Sequence, residues 1–393
     1  MAPIPRLRHY DGPAILSYGF RPFFLLGALQ AGLAMPIWLA LWFGELELPT
    51  AFSPRDWHVH EMLYGYLPAV VTGFLLTAVP NWTGRMPLQG GPLLGLVVLW
   101  VAGRVAISIS ALVGWWMAAV VDVAFLAVVA TAVARETMKS RNWRNQPILA
   151  LLTLFAIGNA AFHFEAKRLG VAETGTRIGI AVAVMLIMVI GGRIIPSFTN
   201  NWLGRQGVEA RPVPFGRFDV LSLALAAAAL TGWCARPDAA ASGAALILAG
   251  IVQGFRLSRW AGYRTVSDRL VLILHLAYAF VPIGFGLLGA SVIGLVPVSA
   301  GLHAWTGGAI GTMTLAVMTR ATLGHTGRTL QANSSTHFIY GFVLLATALR
   351  VWAALEPSRG VALVWGAGAA WSGAFIGFCF AYGPALFRPR LRA

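Results

Sequence analysis

Eight histidines punctuate an otherwise apolar chain, and their positions decide what chemistry is open to it. His58, His60, His163 and His303 lie near the ends of long apolar segments, and His275 lies inside one. Neutral imidazole ligates iron, copper and zinc, so four histidines at one depth suggest one or two metal centres. His58 and His60 are two residues apart, about 200° around a helix, and would serve opposite faces. One could hold a haem and the other a second metal. Met62 shares a face with His58, and thioether plus imidazole suits copper. Asp56 shares a face with His60 and could accept its free ring N–H. The plainer alternative is that these histidines are interfacial and hydrogen-bond to headgroups or water.

The remaining ionisable residues add to the pattern. Glu61 and Tyr64 follow His60 and are the candidate catalytic residues. Glu61 would be a proton carrier or a structural acceptor. Asp122 is expected to pair with Arg104 rather than to act in catalysis. Arg193, within Gly191-Gly192-Arg193-Ile194-Ile195-Pro196, could hold a haem propionate as a bidentate donor or snorkel at a helix end. His325 and His337 fall in polar stretches, where loop histidines are the simpler reading and a quinol site the bolder one. No Walker loop, dinucleotide fingerprint or Cys-x-x-Cys-His site occurs, so a haem would be non-covalent, of b type. The two cysteines, Cys234 and Cys379, are too few for thiolate clusters.

The elements that must position these residues are membrane helices. The 393 residues are 58% hydrophobic and 11% charged, against about 25% charged in a soluble domain. Mean hydropathy is +0.72. A soluble enzyme, a disordered chain and a fibre are excluded. Twelve segments of span length are expected, at 19–44, 57–80, 91–110, 112–134, 146–168, 174–200, 217–235, 239–258, 269–290, 299–323, 334–354 and 360–385. The net charge of +15 follows from basic loops rather than from nucleic-acid binding. With the N-terminus inside, 20 of the 29 Lys and Arg fall in the termini and even-numbered loops, 6 in the odd-numbered loops and 3 in spans. That asymmetry sets both termini in the cytoplasm. It places His58, His60, His163 and His303 in the outer third and Cys234 and Cys379 near opposite faces, so no disulfide is expected.

An internal repeat underlies the count. Asn81-Trp82-Thr83-Gly84-Arg85, Asn201-Trp202-Leu203-Gly204-Arg205 and Leu323-Gly324-His325-Thr326-Gly327-Arg328 close the second, sixth and tenth helices. Their arginines are 120 and 123 residues apart, one spacing for every four helices. One integral membrane domain over 1–393 is expected, with repeats of approximately 19–134, 146–258 and 269–385. His60 and His303 each precede the motif glycine by 24 residues, and the corresponding residue of the middle repeat is Ile180. In a three-fold arrangement His60 and His303 could face one another.

These segments carry a resemblance. Trp57-His58-Val59-His60-Glu61-Met62, the run Gly73 to Arg85, Gly192 to Asn200, and His303 to Arg320 with Gly324 to Arg328 resemble the NnrS family over essentially the whole chain. The resemblance implies a multi-pass protein of the bacterial inner membrane that binds haem and copper. It also implies a role in denitrification and relief of nitric oxide stress. A more distant likeness is architectural. Twelve spans in three four-helix repeats build the catalytic subunits of haem–copper oxidases and nitric oxide reductases, where histidines from helices 2 and 10 bind a low-spin haem. His60 and His303 match that placement, but the paired His-His and His-Pro-Glu motifs of that superfamily are absent.

The expectation is a nitric oxide reductase-like oxidoreductase. His60 and His303 would hold haem b, with Arg193 at a propionate. His58, His163 and Met62 would hold copper, or iron, and His275 is a reserve ligand. The electron donor would be a quinol or a small redox protein, with the lipid bilayer and nitric oxide as the other partners and no nucleic acid. A sensor or scavenger with the same ligands but no turnover, or a metal transporter, are the alternatives. Repeats of one orientation and histidines near one face speak against transport.

Overall fold

The structure, a computed structural model, describes residues 10–83, 87–139, 145–209 and 211–391. His9, Gly84 and Arg85 lie outside the described residues. Among these residues there are helices and no strand, as expected of an all-α membrane protein. A backbone in hydrocarbon must satisfy its own hydrogen bonds, and a chain this apolar does so as helix. Eleven of the described helices are long and apolar enough to cross a membrane.

In chain order, α1 is Phe20–Trp42, and α2 begins at Pro54, passes through a π turn at Glu61–Tyr66 and ends with Leu67–Thr83. Then come α3 (Gly90–Ser108), α4 (Trp115–Lys139) and α5 (Gln146–Leu169). The next helix, α6, is Glu173–Leu186, a π turn at Ile187–Gly191 and Gly192–Arg205. It is followed by α7 (Arg217–Ala235), α8 (Ala240–Ser258) and α9 (Arg269–Val292). The segment expected as the tenth span forms α10, with Val298–His303, a π stretch at Ala304–Gly311 and Thr312–His325. The last two are α11 (Ser334–Leu355) and α12 (Gly360–Phe387).

Local chemistry sets the ends. Ser53 caps α2 by accepting from the Asp56 amide, with Pro54 in the first turn where its missing N–H costs nothing. Asp268 caps α9 by accepting from Leu270 and Val271. Asn333 and Thr336 form a reciprocal cap on α11.

The helices divide into two compact units. The first holds residues 1–176, 321–328 and 379–393, and the second holds 177–320 and 329–378. In the first unit the loops sort by side. The Thr50 hydroxyl donates to the Ile107 carbonyl at 2.9 Å, the Ala111 amide donates to the Pro49 carbonyl at 3.0 Å, and Arg55 pairs with Glu173 at 2.6 Å. These contacts gather the loops after α1, α3 and α5. At the other end, Gln89 donates to the Ser17 carbonyl at 2.7 Å and the Leu391 amide donates to the Thr326 carbonyl at 3.0 Å. Buried Arg21 of α1 donates to the Leu386 and Arg388 carbonyls, each at 2.7 Å, and so caps α12.

The second unit is held by its own polar core. Buried Arg256 of α8 donates to Asp219 of α7 at 2.9 Å, to the Tyr278 hydroxyl of α9 at 2.9 Å and to the Met188 carbonyl in the α6 π turn at 3.1 Å. Tyr278 passes the chain on to Gln253 at 2.7 Å.

Candidate metal centre

The site lies in the first unit, on four helices a few turns from the loops that gather there. α2 supplies His60 and Glu61, α3 Arg104, α4 Asp122, and α5 Asn159 and His163. His60 and Asn159 are 0% exposed, and Asp122 and His163 are each 2% exposed. Burial of so many polar groups is costly in an apolar protein unless they are answered, and here most of them answer one another, while His163 Nδ1 and Arg104 Nε find no hydrogen-bond partner among the described residues.

One oxygen of Asp122 is the focus. Its Oδ2 lies 3.1 Å from His60 Nε2, 3.1 Å from His163 Nε2 and 2.7 Å from Asn159 Nδ2. The Asn159 Oδ1 atom lies 3.2 Å from His60 Nε2. The other Asp122 oxygen accepts from Arg104, whose second arm donates to Glu61 Oε1 at 2.5 Å. Glu61 also accepts from Gln30 of α1 and lies 3.3 Å from His60 Nδ1. The arginine is thus a fork between two carboxylates on different helices.

The π turn makes this approach possible. A Cβ on Gly65 would stand 2.6 Å from Arg104 Nη1, so only glycine admits the guanidinium there. The turn leaves a carbonyl outside the α-helical pattern, and the Trp100 indole donates to that of Gly65 at 2.9 Å. Aromatic rings close the outside of the cluster. Phe162 and Phe52 lie 5.3 and 5.6 Å from the His60 ring.

Among the described residues, one group of three His, Cys, Asp or Glu could hold a metal ion: His60, Asp122 and His163, with one ligand atom of each within 4.8 Å of the others. His60 and His163 were expected in separate centres, and the structure brings them to one carboxylate oxygen. The expected pairing of Asp122 with Arg104 is present. Asp56 does not serve His60, whose ring nitrogens face Glu61, Asp122 and Asn159, and its nearest cation is Arg55 at 3.7 Å. Tyr64 turns its hydroxyl away from the cluster, donating to the Gly175 carbonyl at 2.6 Å.

The other expected site residues stand elsewhere. His58 stacks on Trp38 with ring centroids 4.1 Å apart, and Met62 is half-buried on the same helix. In the second unit, Arg193 is exposed on α6. His275 meets the Thr199 hydroxyl at 2.8 Å through Nε2. The Nδ1 of His303 lies 2.7 Å from the Ser299 carbonyl one turn back, so that nitrogen carries the proton and the lone pair is on Nε2.

Sequence reasoning missed Asn159 and Gln30 and gave Asp122 only a structural part. The spacing Asn159-x-x-x-His163 was the available signal, because residues four apart share a helix face. Glutamine on α1 carried no signal at all. Cys234 and Cys379 are both free.

No curated relative of the chain was found. A family model described as NnrS protein matches residues 14–390, nearly the whole of the sequence, and the chain belongs to the NnrS family.

Proposed function

We propose that this chain is a membrane metalloprotein of nitric oxide metabolism, in which His60, His163 and Asp122 hold a metal ion that binds nitric oxide for reduction. The carrying observation is the convergence of two imidazole Nε2 atoms on one carboxylate oxygen inside apolar helices. Two histidines and one carboxylate are the donor set of non-haem iron sites. Charge agrees with a cation there: the carboxylates of Glu61 and Asp122 face the single positive charge of Arg104. Bound, the ion would supply Lewis acidity and an electron route. The chain's own residues do the rest. Glu61 orients His60 through Nδ1 and is placed to pass a proton, and the aromatic wall keeps bulk water out while an apolar gas enters through the bilayer. The link to nitric oxide rests on the family resemblance.

That resemblance also implies haem b and copper. A haem does not fit at His60. Its Nε2 faces Asp122 and Asn159 at 3.1 and 3.2 Å, with the His163 ring centroid at 5.0 Å, where a porphyrin would have to lie. His303 fits better, since its proton on Nδ1 presents Nε2 as the donor. The softer pair of His58 and Met62 suits copper better than the His60 cluster does, which joins imidazole to oxygen donors and has no sulfur. His275 remains the reserve ligand.

We read the chain as twelve crossings in three four-helix repeats, with both termini on the cytoplasmic face of the bacterial inner membrane. Arg21 at the start of α1 caps the end of α12, and an even number of crossings is what returns the chain to its starting face. The π turns support the repeats, since they occur in α2, α6 and α10, the helices that carry the Gly-Arg motif. His60 and His303 each stand immediately before one.

The test is metal and haem analysis of the purified protein, followed by nitric oxide consumption with a reductant. A non-haem metal that is lost in His60→Ala and His163→Ala, with catalytic consumption in the parent, is the expected result. Metal that binds nitric oxide without turnover would make the protein a sensor or scavenger. A folded preparation that takes up no metal would overturn the reading.

A further inference from the structure

We propose that Asn159 contributes its Oδ1 as a fourth donor to the His60–His163–Asp122 centre, and that this two-nitrogen, two-oxygen set selects a divalent first-row ion over cuprous copper. The inference rests on the metal-centre reading above and deepens it by naming a ligand and the class of ion.

Asn159 is fully buried on α5, one turn before His163, so both side chains leave the helix on one face. Its amide lies between two ligands of the candidate site. Which end faces which is fixed by the partners. Asp122 holds Arg104 and acts as an acceptor, so the 2.7 Å contact to it must come from Nδ2. Oδ1 is therefore the atom 3.2 Å from His60 Nε2.

Three of the six donor–donor separations match those of atoms that share an ion. His60 Nε2 to Asp122 Oδ2, His163 Nε2 to Asp122 Oδ2 and His60 Nε2 to Asn159 Oδ1 measure 3.1, 3.1 and 3.2 Å. Ligands bonded at about 2.1 Å in tetrahedral or octahedral geometry stand about 3.0–3.4 Å from their neighbours. The donor types then choose the ion. Cuprous copper favours thiolate and thioether, and neither is in the cluster. Carboxylate and amide oxygens with imidazole suit ferrous iron, zinc or cobalt. The rival role for Asn159 is to hydrogen-bond Asp122 and His60 without touching an ion.

Two substitutions separate the roles. The full-length protein, purified in detergent and stripped by chelation, is titrated with Co(II), whose visible spectrum reports its ligands. Wild type is expected to bind one Co(II) and to prefer it to Cu(I) supplied from a competing cuprous chelator. Asn159→Asp keeps an oxygen at the ion and adds a charge, so Co(II) should bind at least about tenfold more tightly. Asn159→Ala should weaken binding by about 10–100-fold and shift the visible bands. If Asn159 only holds Asp122, Asn159→Asp sets two carboxylates side by side and weakens binding, while Asn159→Ala leaves the bands in place. Either result overturns the proposal. Should Asn159→Asp fail to fold, the Asn159→Ala spectrum decides alone. Wild type that prefers Cu(I) overturns the selectivity. Wild type that binds neither ion sinks the metal centre itself, a failure distinct from a bound Co(II) spectrum indifferent to Asn159.

Discussion

Arg104 is the residue on which the buried charges of the first unit depend. It is 8% exposed, and it joins Glu61 on α2 to Asp122 on α4. Removing one partner of a buried ionic network leaves the others uncompensated, which costs about 3–5 kcal/mol, whereas removing all of them together is often neutral. Arg104→Met should therefore lower detergent-resistant stability by about that amount. The triple variant Arg104→Met, Glu61→Gln, Asp122→Asn should recover most of it while binding metal more weakly. A thermal-unfolding comparison of the two checks this, and equal stabilities would show that the fork does not hold the unit together. At the same scale, the proposed assignment divides the metal content between two histidines. His303→Ala should remove a haem absorbance band and leave the non-haem metal in place, and His60→Ala should do the reverse. Loss of both signals in either variant would mean that the two histidines serve one centre.

At the scale of the element, the π turn positions the site. Gly65 in α2 and Gly192 just beyond the α6 π turn each lie against a buried arginine, and a Cβ there would stand 2.6 Å from Arg104 Nη1 and 2.2 Å from Arg256 Nη2. Each arginine pairs with an aspartate on another helix, Asp122 on α4 and Asp219 on α7. The order is exchanged between the units, arginine before aspartate in the first and after it in the second. Gly65→Ala and Gly192→Ala should each destabilise by about 1–3 kcal/mol through overpacking. Gly95, whose Cβ would meet nothing within 4 Å, should accept alanine with no loss, because alanine is the better helix former. Gly65→Ala should also release metal, since the displaced side chain is that of Arg104, and Gly192→Ala should not. Metal content after gel filtration reads this directly. The helices themselves were legible in the sequence because apolar runs and charge sorting act over some twenty residues. The π turns were not. Those of α2 and α6 lie against an arginine side chain 39 residues from Gly65 in the first case and 64 from Gly192 in the second, and no local pattern marks such an approach. For the same reason His60 and His163 could be recognised as candidate ligands but not as partners in one site. Sequence gives depth and helix face, while partnership depends on how α2, α4 and α5 pack.

At the scale of the whole molecule, the sides of the first unit predict a topology. Pro49, Thr50, Arg55, Ser110 and Glu173 belong to one side through their mutual contacts. Ser17, Gln89, Thr326 and Leu391 belong to the other, which also holds the Arg21 cap. Every segment of the second group is a terminus or an even-numbered loop by the expected count, and every segment of the first is an odd-numbered loop or, at Ser110, the helix end that borders one. Charge sorting reached the same partition largely from other residues, since it counts Lys and Arg while the contacts run mostly through backbone carbonyls and hydroxyls, with Arg21 and Arg55 common to both. On the proposed reading the chain crosses an even number of times between Phe20 and Phe387, and α10 would then be a crossing in spite of its long π stretch. Single cysteines in a variant lacking Cys234 and Cys379 test this. Substitutions at Asp11, Gln89 and Gln331 should react with an impermeant thiol reagent only in inside-out vesicles. Substitutions at Glu47, Leu112 and Gly170 should react only in intact cells whose outer membrane has been opened. If Asp11 and Gln331 label from opposite sides, α10 or another helix fails to cross. The count would then be odd between those points, and the Arg21 cap on α12 could not form in the membrane-inserted protein.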